Sequence, residues 1–247
     1  MKPKELHLYY ADFAEHSPDT LEFVQALMVL ANHNFENVKT TITQNSVLSF
    51  FEQAKMIPHP ISSPCSRLLK IEPMMAYNSA HGVEVDLIGY VRTEQRRINR
   101  MEDRAKPDMF LSKAFPISQF DDEWCFTIVK EMLGWYPAIY DLKWKDKDFI
   151  AYVLQNLLRF NDAVQRKLKN KIGKDKRVFK HNNCLPCKNM HIDDMLAIEY
   201  FYPAYMAKAT ALGERLKGYW GRNADDYYTT FGKEDYEPEQ CEACSFD

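Results

Sequence analysis

Segments typical of β-strands and of α-helices alternate along the first 95 residues of the chain. Residues 5–13 and 83–91 are short apolar runs and residues 37–43 are rich in β-branched side chains, as buried strands are. Between them, residues 20–34 and 46–56 carry apolar side chains at helical spacing. Strands that alternate with helices usually pair in parallel, because each connecting helix crosses a face of the sheet. The pattern predicts an α/β fold with a doubly wound, mainly parallel sheet.

The second half of the chain has a different pattern, because from residue 121 onward it is predicted to be mostly helical. Residues 121–133, 146–171 and 192–216 all have helical apolar spacing. We therefore expect an α/β domain over residues 1–120 and a helical C-terminal region, which contains two C-x-x-C pairs, over residues 121–247. A helix over residues 65–82 is expected to be interrupted at Pro73, since proline has no backbone N–H to donate.

Composition excludes several classes of protein. The net charge of −3 gives no general argument for binding to nucleic acid or to a membrane surface. No run approaches the roughly 18 apolar residues that a membrane helix requires. The first residues do not have the charged, apolar and small-residue regions of a signal peptide. We therefore expect a cytoplasmic protein without membrane contact, whose cysteines are thiols, ligands or catalysts rather than disulfides.

The cysteines are clustered rather than scattered. They are Cys65, Cys125, Cys184, Cys187, Cys241 and Cys244. Cys184 with Cys187 and Cys241 with Cys244 form two C-x-x-C pairs, a spacing at which two thiolates face one ion from a tight turn. Two such pairs provide the four ligands of a zinc site or an iron–sulfur cluster. A redox pair and ordinary buried thiols are the alternatives for Cys184 and Cys187.

Polar residues follow the first predicted strand at the position where α/β proteins bind ligands. Asp12 lies at the end of the strand, and Glu15 and His16 lie in the turn that follows. These side chains are candidates for contact with a ligand. The alternative is that Asp12 or Asp19 caps the next helix.

A second candidate lies after the strand at residues 83–91. Gly89 allows close approach of the backbone to a ligand, and arginines follow it at positions 92, 96, 97 and 100. Guanidinium groups suit phosphate or sulfate, and a bound anion would relieve the repulsion between Arg96 and Arg100. A solvated helix surface is the alternative. The basic run at residues 169–177 likewise fits either a solvated surface or a contact to phosphate or nucleic acid.

Five segments, taken in order, resemble one family. They are "ADFAEHSPDTLEFV", "PCSRLLKIEP", "IGYVRTEQRR", "FPISQFDDEWCFTIV" and "NNCLPCKNM". Together they are similar to the motifs of phosphoadenosine phosphosulfate (PAPS) reductases and their adenine nucleotide alpha-hydrolase relatives, the last one to the C-x-x-C of cluster-binding and phage-type members. The resemblance covers about residues 5–190 and implies a nucleotide-binding-like α/β domain acting in sulfur transfer or reduction.

The resemblance also implies roles for individual residues. Asp12, Gly89, Arg92 and Glu94 would lie near an adenine nucleotide, ATP or PAPS, with Arg96 and Arg97 near its phosphate or sulfate. Cys65 would join Cys184 and Cys187 as a ligand of zinc or an iron–sulfur cluster, and Cys241 or Cys244 would complete the set. No catalytic residue is implied.

The chain departs from the family at one essential motif. The phosphate-binding S-G-G-x-D-S loop, which in the family precedes the strand ending at Asp12, occurs nowhere in the sequence, and the sheet would be truncated at its first strand. Either a second chain supplies the loop to a split enzyme, or the protein is an inactive family member that acts as a binding partner, including on nucleic acid.

Overall fold

The structure is a computed structural model that describes residues 4–57, 64–103, 112–179, 184–187, 190–218 and 220, with the backbone alone for residues 100–103. The expected α/β class is confirmed. The described strands are β1 (Leu6–Phe13), β2 (Val38–Asn45), β3 (Val85–Leu87) and β4 (Ser112–Ala114). The described α-helices are α1 (Thr20–Asn34), α2 (Val47–Ala54), α3 (Pro64–Ser66), α4 (Glu72–Ala80), α5 (Gln95–Asp103), α6 (Asp122–Leu133), α7 (Lys147–Asn156), α8 (Asp162–Lys169), α9 (Ile192–Phe201) and α10 (Pro203–Leu216).

The strands pair in two small parallel sheets. In the first, β1 and β2 lie side by side and α1 connects them, as expected for a βαβ unit. In the second, β3 pairs with β4 in the register Val85 with Ser112 and Leu87 with Ala114. Among the described residues, β3 is shorter than the strand predicted over residues 83–91, and β4 was not predicted. After β3 the chain turns at Tyr90, whose N–H donates to the carbonyl of Ile88 at 2.9 Å.

The helical segment around Pro73 differs from the prediction. The helix continues through Pro73 in α4, and the irregular part lies before it, where residues Arg67–Ile71 form a π-helical turn. The wider turn is consistent with the missing N–H and bulky ring of proline, which cannot be accommodated in regular i→i−4 bonding. The expected interruption at Pro73 is therefore wrong in its position.

The helices begin at residues whose side chains satisfy free backbone N–H groups. Ser46, Asp121, Asp146 and Asn161 accept hydrogen bonds from the first turns of α2, α6, α7 and α8. These caps explain why the helices begin where they do, independently of any function. No helix within the described ranges is both long enough and apolar enough to cross a membrane.

The described chain divides into two compact units, each assembled from separate segments. The first contains the described parts of Met1–Tyr9, Phe23–Thr41 and Glu72–Tyr136, and the second contains those of Tyr10–Glu22, Ile42–Ile71 and Pro137–Asp247. The large buried apolar cluster belongs to the second unit, where its bulkiest fully buried side chains include Trp144, Phe149, Leu168, Leu196 and Trp220. The boundary at residue 120 stays a prediction.

Candidate functional site

Glu15 is the most heavily bonded carboxylate in the loop after β1. Its side chain, only 3% exposed, accepts hydrogen bonds from Ser46 Oγ at 2.6 Å, Val47 N at 2.9 Å and Leu48 N at 3.2 Å. These donors lie at the start of α2, where a negative charge is favoured by the helix dipole. The Glu15 carbonyl accepts a further bond from Leu185 N at 2.7 Å. Glu15 therefore joins the loop after β1 to α2 and to the C-x-x-C segment.

Tyr10, Asp12 and His16 form a polar group at the end of β1. The Tyr10 hydroxyl and His16 Nδ1 share a hydrogen bond of 2.7 Å, and Asp12 Oδ1 lies 3.5 Å from the same nitrogen. The His16 ring also packs against the ring of Phe13, with centroids 5.2 Å apart. Asp12 is thus placed beside His16 rather than at a helix start.

Burial controls the protonation of this group. Burial, followed by the positive charge of Lys70, lowers the pKa of His16 to about 4, so the imidazole is neutral at pH 7. Burial, followed by the charges of Asp12 and Cys184, raises the pKa of Tyr10 above its ordinary value. The pKa of Asp12 is also raised by burial. Near neutral pH the Tyr10–His16 pair therefore has a protonated phenol and an uncharged imidazole.

The predicted cysteine ligands come together in the second unit. Cys184 is 7% exposed, and its thiol lies within electrostatic reach of Lys70, Cys187, Glu15 and Cys65. Cys65 and Cys187 both pack against the large buried apolar cluster of this unit. Cys65 and the distant Cys184–Cys187 pair therefore lie in the same region of the second unit. We call Tyr10, Asp12, Glu15, His16, Cys65, Lys70, Cys184 and Cys187 the buried cluster.

The C-x-x-C segment bends at Leu185 and Pro186, and the peptide bond between them is cis. Met190 N donates to the Cys187 carbonyl at 3.0 Å, and the Cys187 N–H approaches the sulfur of Met190 at 3.4 Å. The hydrogen bond from Leu185 N to the Glu15 carbonyl joins the segment to the loop after β1.

The environment of Cys184 argues against a redox pair. Burial raises the pKa of its thiol to about 12, an effect that the nearby charge of Lys70 only partly opposes. Reactive cysteines have a lowered pKa, because the thiolate is the nucleophile. Cys184 is therefore an unreactive thiol in the absence of a cation, whereas a bound metal would displace its proton.

The metal assignment stays a prediction. Within the described ranges, no group of three or more His, Cys, Asp and Glu side chains is arranged to hold a metal ion, and no disulfide joins the described cysteines. Cys241 and Cys244 lie outside the described residues. The buried thiols and neutral imidazole are nevertheless the donor types that zinc and iron–sulfur clusters use.

Gly89, Arg92, Glu94, Arg96 and Arg97, which we call the arginine segment, belong to the first unit. Arg92 pairs with Asp121 at 3.2 Å, and Arg97 pairs with Glu94 and lies over the Tyr90 ring at 5.1 Å. Arg92 and Arg97 are 66% and 57% exposed, and Arg96 is exposed without a carboxylate partner among the described residues. The segment thus presents three solvated guanidinium groups beside a strand end.

The structure adds residues that the sequence did not single out. Lys70 lies in the same segment as Cys65, five residues after it. Its ammonium is 4.7 Å from the centre of the Phe13 ring. Tyr10 joins the group through His16. The alternation of strand β1 could have suggested Tyr10, because it lies two residues before Asp12 and so on the same face of the strand.

Comparison with known proteins gives no relative. The chain has no significant match among protein-family models, curated protein sequences or solved structures.

Proposed function

We propose that this chain is a PAPS reductase-like protein, of the adenine nucleotide alpha-hydrolase-like type, that works in sulfur transfer or reduction on an adenine-nucleotide-type substrate. The observation that supports it most directly is the convergence of three distant segments in one unit. The loop after β1, the segment around Cys65 and the Cys184–Cys187 turn meet through Glu15 and Lys70. The sequence resemblance requires the same three segments to form one site.

The proposal includes a doubly wound, mainly parallel sheet as the fold. The alternation of strands with helices supports it, as do the two parallel pairs β1–β2 and β3–β4. In such folds the ligand lies beyond the carboxyl ends of the strands. Asp12 is the penultimate residue of β1, and Gly89 follows the end of β3 by two residues.

In this proposal the buried cluster holds zinc or an iron–sulfur cluster. Cys65, Cys184 and Cys187 would be thiolate ligands, with Cys241 or Cys244 completing the set. Zinc would cross-link the three segments, whereas an iron–sulfur cluster would add a redox centre. Lys70 would place a positive charge beside the thiolates.

The arginine segment would hold the anionic part of the substrate. Exposed guanidinium groups on Arg92, Arg96 and Arg97 suit phosphate and sulfate oxygens, and a ligand would compete with Asp121 and Glu94 for them. The phosphate-binding S-G-G-x-D-S loop, absent from the 247 residues, would come from a second polypeptide.

Calorimetric titration with ATP and with PAPS tests the proposal. The protein is titrated alone and after mixing with the polypeptide encoded beside it. We expect binding in the mixture, and we expect Arg92→Gln to weaken it about tenfold, because a charge-assisted hydrogen bond to the anion is lost. Arg215→Gln is the matched control, since Arg215 is also an exposed arginine in an ion pair, 2.7 Å from Glu52.

The titration also separates the two hypotheses. Equal affinity in the Arg92 and Arg215 variants would remove the arginine segment from the site. If neither ATP nor PAPS binds, to the protein alone or to the mixture of the two polypeptides, the result contradicts the enzyme hypothesis and favours a non-catalytic binding protein.

A further inference from the structure

The part of the chain around α8 is far more basic than the whole. Between residues 159 and 177 there are eight lysines and arginines and only two aspartates, in a chain whose net charge is −3. A run of this kind is often a solvated surface. The fold decides whether these charges are scattered or collected on one surface.

The fold brings a second lysine-containing segment next to this one, residues 143–148, which has three lysines and two aspartates. Lys143 forms an isolated antiparallel bridge with Arg177, Trp144 N donates to the Lys176 carbonyl at 3.0 Å, and Gly173 N donates to the Trp144 carbonyl at 2.8 Å. Lysines at positions 143, 145 and 147 therefore lie beside the loop that follows α8. We call the cations of these two segments the basic surface: Lys143, Lys145, Lys147, Arg166, Lys167, Lys169, Lys171, Lys174, Lys176 and Arg177.

The carboxylates of the second unit neutralise only part of the basic surface. Asp175 is shared by Lys143 and Lys145, at 3.8 and 2.9 Å. Asp193 is shared by Lys167 and Lys171. The exposed cations that have no carboxylate partner among the described residues are Lys147, Arg166, Lys169, Lys174 and Lys176.

The basic surface rests on a packed core. Trp144 and Leu168 are buried beneath it, and the Lys171 ammonium lies 5.1 Å from the centre of the Trp144 ring. Asp193, also buried, anchors α8 and the following turn through its two lysines. The unpartnered lysines are therefore attached to backbone that is fixed by the core, so little backbone ordering is needed when they bind an anion.

Local helix electrostatics explains only part of the charge. Arg166, Lys167 and Lys169 lie in the last turn of α8, where cations are stabilised by the helix dipole. Lys174 and Lys176 lie in the loop beyond the helix and gain nothing from it. Lys147 lies at the N-terminus of α7, where the dipole disfavours a cation. The helix dipole therefore accounts for the cations at the end of α8 but not for Lys147, Lys174 and Lys176, of which Lys147 lies between Asp146 and Asp148 in the sequence.

We propose that the basic surface binds the phosphate backbone of a nucleic acid, without reading its sequence. Unpartnered cations on α7, α8 and the loop after α8 form several separate contacts, as a polymer of phosphates requires and a single phosphate ion does not. Basic surfaces that bind membranes also insert exposed apolar side chains. Within the basic surface Trp144 is buried and Ile172 is partly buried, whereas Leu154 on α7 and Leu158 in the turn before α8 are 51% and 91% exposed, so the vesicle measurement described below is needed to separate the two kinds of anionic partner. The proposal goes beyond the sulfur chemistry proposed above and does not depend on it.

Fluorescence anisotropy with labelled oligonucleotides of about 20 nucleotides, single-stranded and duplex, tests the proposal. The test variant is Lys169→Gln, Lys174→Gln and Lys176→Gln combined. The control combines Lys4→Gln, Lys130→Gln and Lys208→Gln, three exposed lysines outside the basic surface that also have no carboxylate partner among the described residues. Both variants lose three positive charges, and unfolding midpoints establish that both remain folded.

We expect the natural protein to bind the oligonucleotides with an affinity that falls steeply with salt. The test variant should bind about 100-fold more weakly at about 0.1 M salt and lower the slope of log affinity against log salt by about 2, because each phosphate contact contributes roughly 0.7–0.9 to that slope. The control should keep most of the affinity. Equal losses in both variants, or no binding at low salt, would overturn the proposal.

Two further probes distinguish other sources of the same anion chemistry. Inorganic phosphate, compared with chloride at equal ionic strength, should not displace the oligonucleotide, and displacement would indicate a site for single phosphates instead. Vesicles of phosphatidylserine and phosphatidylcholine should bind more weakly than the oligonucleotides. Tighter binding to vesicles that is lost in the test variant would assign the basic surface to membranes and overturn the proposal.

Discussion

The buried cluster and the arginine segment both include residues at the end of a strand, β1 in the first and β3 in the second, yet they differ in how firmly the fold fixes them. In the buried cluster Glu15 is 3% exposed and Cys184 is 7% exposed, whereas Arg92 and Arg97 in the arginine segment are 66% and 57% exposed. Interactions of buried polar groups are strong and costly to lose, while exposed ion pairs contribute little. The side chains of the buried cluster are therefore held in place by the fold, whereas those of the arginine segment depend on a bound ligand to fix their positions.

The largest expected effect comes from removing the central carboxylate of the buried cluster. Glu15→Gln should lower the free energy of unfolding by about 3 kcal/mol, because three buried donors lose a charged acceptor and one amide N–H₂ is placed against them. Chemical denaturation with urea, monitored by tryptophan fluorescence, measures the change.

Glu94→Gln is the matched change in the arginine segment. It removes the partner of Arg97, whose side chain is 57% exposed, and weakens the 3.4 Å hydrogen bond from Val91 N, and it should cost about 1 kcal/mol or less. If the two glutamine variants were equally stable, burial would not distinguish the two regions and the comparison would fail.

A second effect concerns the pH dependence of stability. The pKa of His16 is lowered from its ordinary value of 6.5 to about 4 in the folded protein, so below pH 6.5 the unfolded chain binds a proton that the folded chain does not bind. Stability from this group is therefore complete above about pH 6.5 and falls as the pH approaches 4, by roughly 3 kcal/mol in total.

Urea denaturation at several pH values between 7 and 4.5 checks this prediction. Asparagine does not titrate in this range. The free energy of unfolding of His16→Asn should therefore fall less with acid than that of the natural protein. Parallel pH profiles for the two proteins would show that His16 is not held neutral by burial.

The smallest expected effect is that of the exposed arginines on stability. Arg92→Gln and Arg97→Gln should each change the free energy of unfolding by less than about 0.5 kcal/mol, because their ion pairs are screened by solvent. Thermal unfolding measures the stability of each variant, first without and then with a sulfonucleotide. A large loss of stability without ligand would mean that the arginine segment is fixed by the fold after all.

The sequence predicted local features better than long-range ones. Periodicity located β1, β2, α1 and α2, because strand and helix patterns are properties of neighbouring residues. The three-residue strand β4 was missed because so short a segment carries no periodicity, and its pairing partner β3 lies far away in sequence. The break near Pro73 was misplaced because a π-helical turn can absorb a proline.

The candidate site shows the same division. Asp12, Cys65, Cys184 and Cys187 were identified from residue type and motif order. The role of Glu15 as an acceptor for the start of α2 was not, since it depends on contacts between residues about thirty positions apart. Lys70 and Tyr10 became visible only when folding placed them around Cys184.

Metal analysis of anaerobically purified protein tests the central claim that the buried cluster is a ligand site. Elemental analysis and the visible absorption spectrum are compared for the natural protein, Cys184→Ser and Cys125→Ser, the last being a thiol control in α6 outside the cluster. We predict one zinc ion or one iron–sulfur cluster per chain, lost in Cys184→Ser and retained in Cys125→Ser. A colourless, metal-free natural protein, or equal metal content in all three proteins, would contradict the account.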